Sequence, residues 1–264
     1  MSTKPLPQQS AVQRRLSALR HKAFVHGFSG IAPFYVVNEF PKCGGTWLGQ
    51  MLAMALDLPF RRNEPIRFEK AITHGHFLRS FGLRNVIVLW RDPRDVLVSF
   101  YFHSFFKNEF RNGPLVDAMR QRAPFDDFEN VSGNLPAFIK MLSVNPVSPR
   151  FTWPEFVSVW ADKSETIQTR YEDLREDTAP ELTRIVRELA GMSISTPTAN
   201  RIVEELSFEK AKAKSAAVSG DGVPFVREGS VGGWSKHFTP QANEALERYG
   251  YRDGILKLGY PDIG

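Results

Sequence analysis

The sequence predicts an α/β fold, a central parallel sheet flanked by helices. Three observations carry that prediction. The runs Phe34-Tyr35-Val36-Val37 and Val86-Ile87-Val88-Leu89-Trp90 are continuously apolar, as strands buried on both faces are. Stretches with apolar residues at helical spacing lie between and after them, and such alternation implies crossover connections. Each run also leads into a turn carrying glycine, proline or charge, at the strand end where sheets of this class hold their ligands.

Taken in order, residues 1–30 read as a peripheral, partly helical lead-in. It is polar and basic, and it lacks the apolar centre of a secretion signal. Residues 31–264 read as one domain. A strand over 34–38 is followed by the turn Phe40 to Thr46. A helix over 46–57 comes next, from the spacing of Trp47, Leu48, Met51, Leu52, Ala55 and Leu56. Strand 86–90 ends at Arg91. Asp92 then suits an N-cap, Pro93 the first helical position and Asp95 the first turn of a helix over about 93–107. From about 108 to 150 the chain carries Pro114, Pro124, Pro136, Pro146 and Pro149 with Gly113 and Gly133. This reads as a loop-rich insertion of loops and short helices outside the core, placed to gate a substrate pocket. Further elements are a strand over 166–171 and helices over 154–162, 179–191, 198–213 and 240–248. A glycine-rich loop precedes the last of these.

A chain of 264 residues can bury a sizeable core. Its net charge of +5 favours anionic ligands modestly, and no nucleic-acid motif accompanies it. Cys43 is the only cysteine, which excludes an internal disulfide and a cysteine-built zinc site. No apolar run approaches a membrane span. A cytoplasmic protein is the expectation. The oligomeric state is left open.

The turn after the first strand is the first candidate site. A strand, a glycine turn with a lysine and a helix start aim free N–H groups and a positive dipole end at one spot, which suits a phosphate or sulfate. Gly44 and Gly45 let the backbone approach an anion, Lys42 adds a point charge, and Thr46 adds a hydroxyl. The GxxxxGK[ST] nucleotide loop is not matched, because Pro41 precedes Lys42 and Cys43 follows it. The alternative for the turn alone is an ordinary βα connection with a surface lysine. The second constellation is Arg91 with Ser99, a guanidinium fork and a hydroxyl that suit a phosphate. A salt-bridged arginine and a surface serine are its alternative. The third is the basic glycine-rich loop Arg227 to Thr239, able to close over an anion.

Together these stretches resemble the PAPS-dependent sulfotransferases of the cytosolic type. That family's donor loop PKSGTTWL is similar to Pro41-Lys42-Cys43-Gly44-Gly45-Thr46-Trp47-Leu48. Its R-[ND]-P-x-D-x-x-V-S motif matches Arg91 to Ser99. Its RKGxxGDWKxHFT segment resembles Arg227 to Thr239, its YED segment Tyr171-Glu172-Asp173, and its Ser-Phe helix Ser207-Phe208. The ordered matches span roughly residues 34–260.

The resemblance implies the P-loop-like nucleotide-binding sulfotransferase fold and in-line transfer of a sulfuryl group from PAPS, leaving PAP, with no metal. The loop from Lys42 through Cys43, Gly44 and Gly45 to Thr46 would hold the 5′-phosphosulfate, with Lys42 stabilising the leaving oxygen. Arg91, Ser99, Arg227, Glu228 and Gly229 fall where the 3′-phosphate is held. Trp47, Tyr171 and Phe208 would surround the adenine. The acceptor's base would be His74, in Thr73-His74, with His76 as the alternative. The acceptor is expected to be a small molecule offering a hydroxyl or amine. The cluster Phe100, Tyr101, Phe102, Phe105, Phe106 and Phe110 favours an apolar or aromatic one, unless all six are core. Cys43, Gly45 and Glu228 depart from the family's serine, threonine and lysine. The competing readings are a non-catalytic nucleotide- or anion-binding module on the same fold and, on weaker grounds, a P-loop nucleotide kinase.

Overall fold

The computed structural model describes residues 11–28, 31, 34–62, 68–109, 112–219, 223–224 and 228–263. A lead-in helix, α1 (Ala11–Phe28), comes first. The apolar run then forms β1 (Phe34–Glu39), followed by α2 (Gly45–Leu56), the short β2 (Phe60–Arg61), β3 (Ala71–Gly75) and β4 (Val86–Trp90). All four connections within the sheet are parallel, in the order β2-β3-β1-β4-β5, with β5 spanning Ile167–Arg170. β1 lies in the middle and β4 is buried along its whole length, which is why both sequences are continuously apolar.

Between β4 and β5 come α3 (Pro93–Phe105), α4 (Gly113–Arg120), α5 (Val131–Val144) and α6 (Trp153–Trp160). After β5 follow α7 (Tyr171–Glu176), α8 (Thr178–Ala190), α9 (Thr196–Glu205), α10 (Phe208–Ser219), a 3-10 turn at Gly233–Lys236, α11 (Pro240–Arg248) and α12 (Tyr251–Lys257). The start of α3 is as expected: the Asp92 carboxylate accepts from the Arg94 N–H, and Pro93 opens the helix.

The segment 108–150 differs from the loop-rich expectation. α5 buries Leu135, Phe138, Ile139 and Leu142, and Phe138 meets Phe100, Tyr101 and Phe105 at ring-centroid distances of 6.2, 5.3 and 5.5 Å. Pro136 lies inside this helix. An interior proline costs roughly 3 kcal/mol, whereas burying four large apolar side chains stabilises by roughly 1.5–3 kcal/mol each, so burial wins. The expected helix over 198–213 is also broken. Leu206 and Ser207 separate α9 from α10, and the Ser207 hydroxyl accepts from the Lys210 N–H at 3.4 Å.

The register brings three strand ends to one edge. Asn38 lies opposite Gly75 in β3, and Glu39 opposite Leu89 in β4. Buried Asn38 staples the chain after β3 to the end of β1. Its amide donates to the Phe77 carbonyl at 3.0 Å, and its carbonyl accepts from the Phe77 N–H at 2.8 Å. Residues 74–76 are thereby held against the turn that carries Lys42.

Candidate active site

A cavity of about 960 Å³ opens at this edge. Its wall includes Lys42, Gly44, Gly45, Thr46 and Trp47 from the first turn, Arg91 and Ser99 from the second, and Glu228 and Gly229 from the third. The three sequence constellations therefore meet at one place.

The first turn is built on unusual backbone. Lys42 has φ 79° and Gly44 has φ 107° as the N-cap of α2. Glycine is required at 44 on two grounds: the positive φ, and a Cβ there would lie 2.9 Å from the Tyr171 ring. The Lys42 ammonium is desolvated, which brings its pKa down to about 7; Arg91 and Arg62 push the same way, while Glu39 opposes. An anion entering the cavity meets a cation with little water left to lose.

Arg91 is fixed by three contacts. It donates through Nη1 to the Lys42 carbonyl at 3.1 Å and through Nη2 to the Ser230 carbonyl at 3.2 Å, and it stacks 4.3 Å over the Tyr171 ring. Its buried Nε has no hydrogen-bond partner among the described residues. Such an orphaned donor is uncommon in a folded interior and fits a ligand oxygen. The third loop is tied down as well. The Asp95 carboxylate accepts from Gly232 and Trp234 N–H groups at 2.9 Å each, Tyr171 donates to the Gly229 carbonyl at 2.8 Å, and Arg94 lies 4.0 Å over Trp234. Trp47, Tyr171 and Phe208 all face the cavity, with Trp47 and Tyr171 edge to face at 6.0 Å. Arg175 lies 4.9 Å over the Phe208 ring.

The histidines fall into distinct environments. His74 is buried, and its Nε2 meets the Glu39 carboxylate at 3.0 Å. His76 is exposed to the cavity, and its Nδ1 lies 2.9 Å from the Glu39 carbonyl oxygen. A carbonyl can only accept, so Nδ1 carries the proton and Nε2 is the bare nitrogen. The cavity is deep enough for desolvation to lower the His76 pKa to about 4, helped by His74 and opposed by Glu39. Glu39 itself is buried. Burial raises its pKa, but the hydrogen bond and charge of His74 more than offset this, so it stays below the ordinary carboxylate value. His103 also lines the cavity, where burial and the charges of Lys42 and Arg62 lower its pKa to about 3. Its Nδ1 lies 2.9 Å from the Asn108 amide nitrogen, so that nitrogen accepts and the proton sits on Nε2.

Glu39, His74 and His76 offer ligand atoms within 4.8 Å of one another. With their hydrogen bonds already made to each other and the cations Lys42, Arg62 and Arg91 close by, we read them as a hydrogen-bonded cluster and assign them no metal.

Two expectations need correcting. Cys43 is not part of the cavity wall: its thiol is buried in the core and its N–H points to the Phe40 carbonyl at 3.4 Å. The Gly45 N–H, expected to face an anion, is taken by the Glu39 carboxylate. Glu228 does line the cavity and pairs with Lys236 at 3.4 Å, which offsets its charge. Of the aromatic cluster, Phe100 and Phe102 reach the cavity, whereas Tyr101 and Phe105 are core. Arg227 and Phe110 lie outside the described residues. Sequence reasoning missed Glu39, although a carboxylate closing a buried apolar strand is itself a signal, since a buried charge needs a partner.

The family description "Sulfotransferase domain" matches residues 73–252. The chain belongs to the sulfotransferase family. Sulfuryl transfer is accordingly its general reaction class. Among curated members of the family, sulfotransferase 1E1 of Homo sapiens is 26% identical over 88% of this chain and 89% of its own length. The Bos taurus 1E1 protein is 23% identical over 87% and 88%. Two solved structures share the fold at 18% identity. Mouse sulfotransferase SULT7A1 complexed with PAP superposes with TM-score 0.65 over 91% of this chain and 90% of that one. Retinol dehydratase in complex with androsterone and inactive cofactor PAP gives 0.63 over 91% and 85%. Among the described residues, no helix is long and apolar enough to cross a membrane.

Proposed function

We propose that this sulfotransferase moves the sulfuryl group of PAPS onto a hydroxyl or amine of a small apolar or aromatic acceptor. The observation that carries the proposal is the pairing of desolvated Lys42 with Arg91, whose buried Nε has no partner among the described residues, in one cavity with three aromatic side chains. A ligand with two anionic ends and a flat base fits that combination. Solved relatives carry PAP, and one also holds androsterone.

In this reading Lys42, Gly44 and Thr46 of the first turn hold the 5′-phosphosulfate. Arg91 and Ser99, joined by Arg227 and Gly229, hold the 3′-phosphate, and Trp47, Tyr171 and Phe208 receive the adenine. PAPS would supply an activated sulfuryl group, the acceptor's new O–S or N–S bond forming as the bridging S–O bond breaks. Lys42 meets the charge that develops on the departing phosphate. The acceptor proton needs a base within reach, and the bare Nε2 of His76 faces the cavity, while the Nε2 of His74 is engaged by Glu39. We therefore assign the base to His76 and not to His74, the closer match by resemblance. His103, with its proton on Nε2, can donate to the acceptor oxygen. Phe100 and Phe102 supply the apolar contact. A cytoplasmic location belongs to this proposal as well.

A thermal-shift comparison of adenosine 3′,5′-bisphosphate with Mg-ATP tests the donor, because a ligand of the folded state raises the melting temperature. Stabilisation by the bisphosphate is expected; stabilisation by Mg-ATP alone overturns the proposal.

A further inference from the structure

We infer that Glu39 is a positioning residue that couples the acceptor base to the donor loop, and that Gly45 is what makes room for it. The inference rests on His76 being the base. Three contacts define the coupling. The Glu39 carbonyl receives the His76 Nδ1–H at 2.9 Å and so keeps Nε2 bare toward the cavity. Its carboxylate meets His74 Nε2 at 3.0 Å through one oxygen and accepts the Gly45 N–H through the other. The His74 ring in turn stands edge to face against His76, 5.0 Å between centroids at 86°. One residue thus joins the strand end, both histidines and the first turn of α2.

The space for this arrangement comes from the sequence. A Cβ at position 45 would lie 2.7 Å from the Glu39 carboxyl carbon and 2.7 Å from His74 Nε2. The threonine of the resembled loop cannot coexist with this carboxylate position. The departure at Gly45, which otherwise reads as a lost donor, is therefore the complement of Glu39. A buried carboxylate beside an anion-binding turn works against donor binding unless it serves something nearby; His74, His76 and the Gly45 N–H favour its charge, and Lys42 and Arg62 feel it in turn.

The groups facing His76 have opposing effects. His74 and Arg62 disfavour its protonated form, as does burial; Glu39 alone among them favours it, and His103 lies close enough to feel the His76 charge. When His76 takes the acceptor's proton, Glu39 is the negative group that meets the new imidazolium.

The test is the pH profile of kcat/KM for Glu39→Gln, which keeps the shape and removes the charge. The expected result is a fall of roughly tenfold or more at neutral pH with the acid limb moved to lower pH by about one unit, since a neighbouring carboxylate shifts a histidine by that order. A uniform loss at every pH, with the limb where it stands in the native protein, would reduce Glu39 to a structural role and overturn the inference. His76→Ala separates this from failure of the base assignment: if that variant retains turnover and the acid limb, the base is elsewhere, whatever Glu39 does. Should Glu39→Gln fail to fold, ring-nitrogen NMR of the native protein decides. A protonated Nδ1 and bare Nε2 on His76, with His74 Nε2 carrying a proton shared with a carboxylate, are expected. The opposite His76 tautomer refutes the coupling.

Discussion

Replacing Lys42 by methionine should stabilise the ligand-free protein while abolishing donor binding. The lysine is held where its charge is poorly hydrated, with its pKa lowered from 10.5 to about 7. At 1.36 kcal/mol per pKa unit that depression corresponds to roughly 5 kcal/mol of disfavoured charge. The ammonium still reaches the cavity, so water screens part of this, and a net cost of about 2 kcal/mol is the better figure. The sign follows from proton binding. The unfolded lysine holds its proton up to pH 10.5 and the folded one only to about 7, so native stability rises with pH between those values. The advantage of Lys42→Met is thus full below pH 7 and shrinks as pH climbs toward 10.5. For a domain of this size, about 2 kcal/mol raises the melting temperature by roughly 4–8 °C. Calorimetry with and without adenosine 3′,5′-bisphosphate measures both effects. A variant that melts lower than the native protein at neutral pH, or that keeps the native ligand-induced shift, would refute the reasoning.

The kcat/KM profile should be bell-shaped, with an acid limb near pH 4 from His76 and an alkaline limb near pH 7 from Lys42, because this ratio reports the free enzyme; a profile flat from pH 6 to pH 9 contradicts the Lys42 assignment. Arg91→Lys loses the fork that bridges the Lys42 and Ser230 carbonyls, and bisphosphate affinity measured by calorimetry should fall by roughly 10–100-fold. Gly229→Ala forces a methyl to within 1.9 Å of the Phe208 ring at φ 57°, so the third loop must shift and the bisphosphate melting shift should shrink. An undiminished shift would show that this loop does not contact the ligand.

Much of the scaffold was legible because the signals are local. The continuous apolar runs announced β1 and β4, and Asp92-Pro93 announced the start of α3. β3 was not visible as a strand: Ala71–Gly75 is short and carries a threonine, a histidine and a glycine, and it is a strand because it lies between β1 and β2. The core role of α5 was hidden by Pro136, whose local penalty is outweighed by a buried face that only tertiary structure supplies. The site followed the same division. Lys42, Arg91, Ser99, Tyr171 and Phe208 could be named from motif order, and they line one cavity. Both His74 and His76 line that cavity, and which of them keeps a bare ring nitrogen toward it could not be read from spacing, because the two are two residues apart and their ring hydrogen bonds depend on Glu39 and on the Asn38 staple. Cys43 sits inside the matched motif, yet its thiol points into the core.

The central claim, that this cavity transfers a sulfuryl group from PAPS, is tested most directly by incubating the purified protein with PAPS and a panel of phenols and apolar alcohols and following both products by mass spectrometry. The account predicts PAP and an acceptor heavier by one SO3 in equal amounts, with no product from Lys42→Met. PAPS left intact across a broad panel, despite tight binding of the bisphosphate, would contradict it.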